Sequence, residues 1–214
     1  MMVKLLSYTR NADVVCGMAS ATCTGSTNWE RALKTALKSG HDSVLEHCAF
    51  TFEISDISRA CSHQLVRHRL ASYSQESQRY VRNGQMAFVV PQSVEDNPTA
   101  KQLYHDLCET AGKVYLSLIG LGIPQEDARY VLPNATCTRL TMTMNGRELM
   151  HFFALRCCQR AQWEIRELAE KMLELVKSVA PIIFSNAGAS CVQLGYCPEA
   201  RGCGRYPTIT DLSR

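Results

Sequence analysis

Cys48-Ala49-Phe50-Thr51-Phe52-Glu53-Ile54-Ser55 alternates, with Phe50, Phe52 and Ile54 on one face and Thr51, Glu53 and Ser55 on the other. Side chains of a strand point to opposite faces in turn, so this stretch predicts a half-buried strand. The period then changes. Ile57, Ala60, Cys61 and Leu65 form an apolar stripe at helical spacing, with Asp56 placed to cap the helix. Gln64, Arg67 and His68 lie at the end of that helix, where a Ser/Gln-rich loop begins.

The remaining chain repeats this alternation of strands and helices irregularly. Val3 to Tyr8 reads as an opening strand, and Asn11 as the cap of a helix through Ala19. Thr27 followed by Glu30 is a capping box for a helix over 28–38. Met86 to Val90 reads as a short strand, and Asn97-Pro98 opens a long helix ending near Gly120, with Leu103, Leu107, Val114 and Leu118 as its core contacts. Pro124 starts a shorter helix, closed off by Pro133. Thr136 to Met144 alternates again and puts Arg139 on the polar side. Asn145 with Glu148 three residues on marks another helix start. That pattern runs to about Val179 with a break near 157–160, and it carries Ala161, Ile165, Leu168, Met172 and Leu175 inward with Arg166 at the edge of the stripe. The sum predicts an α+β fold, a single domain over 1–214 with large helices packed on a mostly antiparallel sheet, and a Cys/Gly/Pro-containing tail from about 186.

At 214 residues the chain can bury one sizeable core. A formal charge of +3 is too small to imply nucleic-acid binding, yet it allows local positive pockets for anionic substrates. Met1 to Arg10 holds no apolar run of signal-peptide length, and no run of about 18 apolar residues suggests a membrane span. Eleven cysteines without a secretory signal read as reduced thiols in the cytoplasm. Cys191, Cys197 and Cys203 are evenly spaced and Cys157-Cys158 are adjacent, which makes zinc a competing reading; the short Cys-x-x-Cys knuckle is missing. No metal is expected.

Chemistry concentrates in Arg67-His68-Arg69-Leu70-Ala71-Ser72-Tyr73-Ser74-Gln75-Glu76-Ser77-Gln78-Arg79-Tyr80. Guanidinium offers a rigid fork of donors matched to phosphate, and it keeps its charge at working pH. The surrounding hydroxyls and amides can orient rings and sugars. Two readings compete with a pocket for a phosphorylated, ring-bearing molecule. One is a solvated basic face with ordinary ion pairs. The other is a nucleic-acid patch of Arg67, Arg69, Arg79 and Arg82, whose aromatics do not interleave regularly with the arginines.

Arg-His-Arg, seven residues, then Ser and Ser-x-Arg-Tyr resembles the signature of the flavin-dependent thymidylate synthases, here on Arg67, His68, Arg69, Ser77, Arg79 and Tyr80. Two further blocks are similar to the same family: Gly40-His41-Asp42-Ser43-Val44-Leu45-Glu46-His47, and the run from Leu132-Pro133-Asn134 to Ala161-Gln162-Trp163-Glu164-Ile165-Arg166. The resemblance implies conversion of dUMP to dTMP with methylenetetrahydrofolate as carbon donor, FAD as hydride carrier and NADPH as its reductant. It also implies a cytoplasmic homotetramer with active sites shared between subunits.

Carried over by position, Gln64, Arg67, Gln75, Glu76, Ser77, Gln78, Arg79, Arg139 and Arg166 would hold dUMP. Ser43, Arg67, His68, Arg69, Gln75, Arg156 and Arg160 would hold FAD. Arg166 would activate the uracil. The chain departs from many members at Ser74 (often Asn), Gln75 (often Glu) and Arg160 (often Asn or His). No Gly-x-Gly-x-x-Gly follows a strand, so a flavin must be held by side chains from several segments.

Overall fold

The structure, a computed structural model, describes residues 1–79 and 86–212. Tyr80 and Arg82 lie outside the described residues. In chain order the elements are β1 (Met2–Tyr8), α1 (Ala12–Thr24), α2 (Trp29–Lys38), β2 (Ala49–Ser58), α3 (Arg59–Leu65), β3 (Ala71–Gln75) and α4 (Gln92–Glu95). Then come α5 (Pro98–Gly120), α6 (Gln125–Ala128), β4 (Cys137–Asn145), α7 (Gly146–Arg156), α8 (Trp163–Val179), α9 (Ser190–Leu194) and α10 (Ile209–Leu212). Short 3-10 helices cover Asp42–His47 and Arg129–Val131.

Helices pack on one antiparallel four-stranded sheet in the order β1-β2-β4-β3. The register of β2 on β4 follows from pairs whose numbers rise on one strand and fall on the other. Gly146 N–H donates to Cys48 O (3.0 Å), Thr51 and Thr143 hydroxyls meet at 3.0 Å, and Arg59 N–H donates to Thr136 O (3.0 Å). The alternation expected of β2 and β4 holds: Phe50, Phe52 and Ile54 are fully buried, as are Met142 and Met144, while Arg139 faces outward.

The described residues form two compact units. One comprises Met1–Met2, Ile54–Gln64 and Ser74–Leu140; the other comprises Val3–Glu53, Leu65–Tyr73 and Thr141–Arg214. The second has an aromatic core in which Phe50 and Phe153 meet Phe184 edge to face, at 5.4 and 6.0 Å between ring centres. Asp13 ties α1 to the segment after α8, accepting from Ile182 N–H (3.0 Å) and Ile183 N–H (2.9 Å). The first unit buries Ile57, Cys61, Cys108, Ala111 and Tyr115.

Several local expectations are corrected. Asn28, not Thr27, caps α2, its side chain accepting from Arg31 N–H (2.9 Å). Asp56 does not cap α3: it stays within β2 at φ 57°, and Ser58 Oγ accepts from Cys61 N–H instead (2.9 Å). Asn11 sits at φ 53° and gives α1 no side-chain cap. Residues 71–75 are a strand rather than a loop, because half-buried Ala71, Tyr73 and Gln75 alternate with exposed Ser72 and Ser74. Residues 86–90 contribute one isolated bridge, Phe88 to Thr136, and no strand. The largest correction is in α5. Leu103 is 67% exposed, Leu107 62% and Val114 41%; the buried face is Cys108, Ala111 and Tyr115. In α8 the fully buried set is Ile165, Leu168, Ala169, Met172 and Val176, with Ala161 and Leu175 only half-buried.

Asn145 caps α7 as its spacing predicts, accepting from Glu148 N–H (2.8 Å). A Cβ at Gly146 would stand 2.7 Å from Cys48 Sγ and 2.9 Å from Leu45 O. The carbonyl is backbone and cannot swing aside. Gly146→Ala should therefore cost about 1–3 kcal/mol, read as a lower urea midpoint with an unchanged slope; an unshifted midpoint would show that the approach is not tight.

Candidate active site

Residues expected at the nucleotide gather mainly in the first unit. Gln75, at the end of β3, donates through its amide to Ser62 Oγ on α3 (2.9 Å) and to Thr138 Oγ1 on β4 (3.2 Å). Both amide hydrogens are thereby used, and the carbonyl Oε1 is left to meet a ligand. Glu76 N–H donates to Arg139 O (2.9 Å), and the Glu76 carboxylate accepts from Arg139 Nε (2.6 Å). Ser77 Oγ accepts from Arg79 N–H (3.2 Å), and Arg79 pairs with Glu126 (2.7 Å). Gln64 and Gln78 are half-buried. Glu76 and Arg139 also line a small cavity of about 160 Å³ with Asp56, Thr136 and Thr138. Of the arginines read as a nucleic-acid patch, Arg79 thus faces a carboxylate, which weakens the reading as a bare cationic surface.

Residues expected at the flavin gather mainly in the second unit. Arg67 and Arg69 are exposed, whereas His68 between them is only 5% exposed. Its Nε2 accepts from Arg156 Nε (3.0 Å). That bond requires a lone pair on Nε2, so the ring proton sits on Nδ1 and points to Glu148 Oε1 (3.3 Å). Burial, then the charges of Arg156 and His151, push the His68 pKa down to about 4. Burial also pushes the Glu148 carboxyl up. The His68–Glu148 contact is therefore a hydrogen bond and not an ion pair. Tyr73 secures the same turn by donating to Leu65 O (2.9 Å) and His68 O (2.8 Å). A neutral, edge-packed imidazole, 4.9 Å from the Phe152 ring, thus holds Arg156 by its Nε and leaves the outer guanidinium nitrogens for other partners.

Arg166, in the first turn of α8, is half-buried and donates to Gln159 O (2.9 Å). Arg160 reaches the tail, where it pairs with Glu199 (3.2 Å) and donates to Arg201 O (2.9 Å). Arg156 and Arg160 border a cavity of about 330 Å³ with Cys158, Cys191, Arg205 and Tyr206. Ser43 and His41 of the Gly-His-x-Ser block open on another cavity, about 700 Å³, walled by Ser20, Thr24, Asn28 and Arg31.

Sequence reasoning missed Glu148 as a partner of His68, because its spacing from Asn145 already explained it as a capping residue. Ser62, Thr138 and Glu126 gave no signal of their own. Among the described residues no group of three or more His, Cys, Asp or Glu side chains is placed to hold a metal ion. No helix among them is long and apolar enough to cross a membrane.

Comparison with known proteins shows the family. The family described as "Thymidylate synthase complementing protein" matches residues 4–182. A flavin-dependent thymidylate synthase of Geobacter sulfurreducens is 46% identical, over 100% of this chain and 98% of the relative. Another from Clostridium tetani is 41% identical, covering 98% and 96%. One from Pyrococcus furiosus is 47% identical over 79% of this chain and 73% of its own length. Among solved structures, a UMP/dUMP methylase, PolB from Streptomyces cacaoi bound with 5-Br dUMP, superposes with a TM-score of 0.77 at 28% identity, over 86% of this chain and 93% of that one.

Proposed function

The chain belongs to the family of flavin-dependent thymidylate synthases, and from that premise we propose how its residues divide the reaction. The reaction is synthesis of dTMP from dUMP, with methylenetetrahydrofolate as carbon donor. The FAD, when bound and reduced by NADPH, supplies the hydride. One catalytic domain over 1–214 carries it out, in the cytoplasm.

Arg79, Arg139 and Ser77 hold the nucleotide phosphate and sugar, exchanging their present carboxylate partners for a dianion. Gln64, Glu76 and Gln78 complete that wall, and Arg67 is assigned to the same nucleotide. The Gln75 carbonyl accepts from a ring N–H, since its amide is committed to Ser62 and Thr138. Arg67, Arg69 and Arg156 supply the cationic donors that a flavin dinucleotide needs, and Ser43 adds a hydroxyl. The donor chemistry therefore fits the cofactor. His68 acts behind them, fixing Arg156. Arg160 reaches the flavin only if it exchanges its tail contacts. Arg166 is assigned to the activation of the uracil.

These groups serve a homotetramer with shared sites. The uncovered Leu103, Leu107 and Val114 stripe of α5 supports that assembly, because apolar side chains in one line are costly to leave in water. The observation that carries the assignment is the pairing of Arg79 with Glu126 and of Arg139 with Glu76, together with a Gln75 amide whose donors are already spent.

Purified protein should be yellow and should oxidise NADPH only when dUMP is present. A colourless preparation, or oxidation indifferent to dUMP, would overturn the reading. Arg79→Ala should raise the dUMP KM roughly ten- to a hundredfold, the worth of a charge-assisted hydrogen bond, with kcat little changed. An unaltered KM would remove Arg79 from the nucleotide site.

A further inference from the structure

The C-terminal tail lies beyond residue 182, where the family match ends, and it brings together thiols that the reaction does not use. Cys191, Cys197 and Cys203 of the tail and Cys158, between α7 and α8, line the same cavity of about 330 Å³. All four are free. Their access differs: Cys203 is exposed, Cys158 half-buried, and Cys191 and Cys197 buried.

Cys197 stands at the base of a small closed loop, and Cys203 lies within it. The base of the loop is fixed by Cys197 N–H donating to Pro207 O (2.7 Å) and by a bridge from Cys197 to Thr208. A Cβ at Gly202 would lie 3.5 Å from Cys197 Sγ, so the backbone just before Cys203 runs against the Cys197 thiol. Arg160 grips the middle of the loop through Glu199 and Arg201 O. Gly204 follows at φ 84°, a conformation that lets the chain turn sharply after Cys203.

We propose that Cys197 and Cys203 form an oxidisable dithiol that hydrogen peroxide converts into a disulfide within this loop. The exposed Cys203 thiolate attacks the distal peroxide oxygen, the O–O bond breaks, and Cys203 becomes a sulfenic acid as the other oxygen leaves as water after protonation. The Cys197 sulfur then attacks the Cys203 sulfur, the S–S bond forms, and the sulfenyl oxygen leaves as a second water, carrying the Cys197 proton. Two thiols are oxidised and one peroxide is reduced. Cys191 is a poorer nucleophile, because burial and the neighbouring Cys158 and Cys197 raise its thiol pKa.

The test uses the full chain, reduced, freed of reductant without air, and treated with an equivalent of hydrogen peroxide. Thiols are alkylated and peptides weighed. The expected product is a single species lacking two hydrogens, with Cys197 linked to Cys203 and Cys23, exposed on α1, still alkylated. Cys197→Ser should stop at a Cys203 sulfenic acid that dimedone captures. Cys203→Ser should slow loss of the Cys197 thiol by about tenfold or more. Linkage of Cys158 to Cys191, failure of any tail thiol to oxidise before Cys23, or a metal ion that masks all four thiols until chelated would each overturn the proposal. The readout is thiol mass alone, so it stands apart from the assignment of Arg160 to the flavin.

Discussion

Replacing Arg166 by alanine should leave flavin bound and slow dTMP formation by about 100- to 1000-fold, the range seen when one preorganised donor is removed from a developing anion. Making the pyrimidine carbon nucleophilic, or delivering hydride to the ring, builds negative charge on the uracil nitrogen and carbonyl oxygens. A fixed guanidinium aimed at that charge stabilises the transition state more than bound dUMP, so the loss falls on kcat. Arg166 is suited to this because α8 and the hydrogen bond to Gln159 O hold it half-buried, with donors remaining on its fork. The variant should fold, since the described loss is one side-chain hydrogen bond, worth about 1 kcal/mol. Arg166→Lys should recover little, because an ammonium lacks the planar fork. The measurements are flavin content by absorbance and dTMP formed per turnover; near-normal turnover in the alanine variant would end the assignment.

How much of this was legible beforehand differs between strand and helix. The β2 and β4 alternations named the buried face residue by residue, because a strand between two neighbours in a sheet has only two faces and one must meet the core. In α5 the leucines at 103 and 107 identified a helix but misled about its burial. An apolar stripe reports that something covers it and not whether the cover comes from the same chain. Helix caps were off by one at Asn28 and by two at Ser58, because Thr, Asn, Asp and Ser compete for the same role within a few residues. The turn at Asp56 takes a left-handed conformation that carries no signal in an aspartate.

For the site, guanidinium and carboxamide positions were readable from motif spacing, yet their partners were not. His68 shows the difference. Sequence placed it with Arg67 and Arg69 as a ligand-facing residue, whereas it is buried with both ring nitrogens occupied. The partners come from α7, 80 and 88 positions along the chain. Only the pairing of distant segments could reveal them. Once seen, the arrangement explains why a histidine sits between two exposed arginines: it anchors the turn that presents them, while Arg156 takes the place of a proton on its Nε2.

That anchor makes acid the sharpest test of the network. The folded pKa of His68, about 4, lies below its ordinary 6.5. The unfolded chain therefore binds this proton first as pH falls. Stability from a neutral buried His68 is complete above pH 6.5, is lost progressively below it, and is spent near pH 4, for a total of about 3 kcal/mol. Glu148 opposes the loss in sign. Burial raises its folded pKa above the ordinary 4.5, so the folded state takes up that proton more readily than the unfolded chain and regains stability as the carboxyl titrates. The net loss should hence be shallower than His68 alone would give wherever the carboxyl titrates. Urea unfolding at pH 7, 6 and 5 should show a slope approaching about 1.4 kcal/mol per pH unit in the wild type. His68→Gln should flatten it, since an amide can accept from Arg156 without titrating. Glu148→Gln should retain it. Protonated His68 cannot accept from Arg156 Nε and repels it, so FAD should leave the folded protein only as the pH approaches about 4 if Arg156 grips the flavin. A wild-type stability that is level from pH 7 to 5 would mean that His68 is not held neutral by its neighbours.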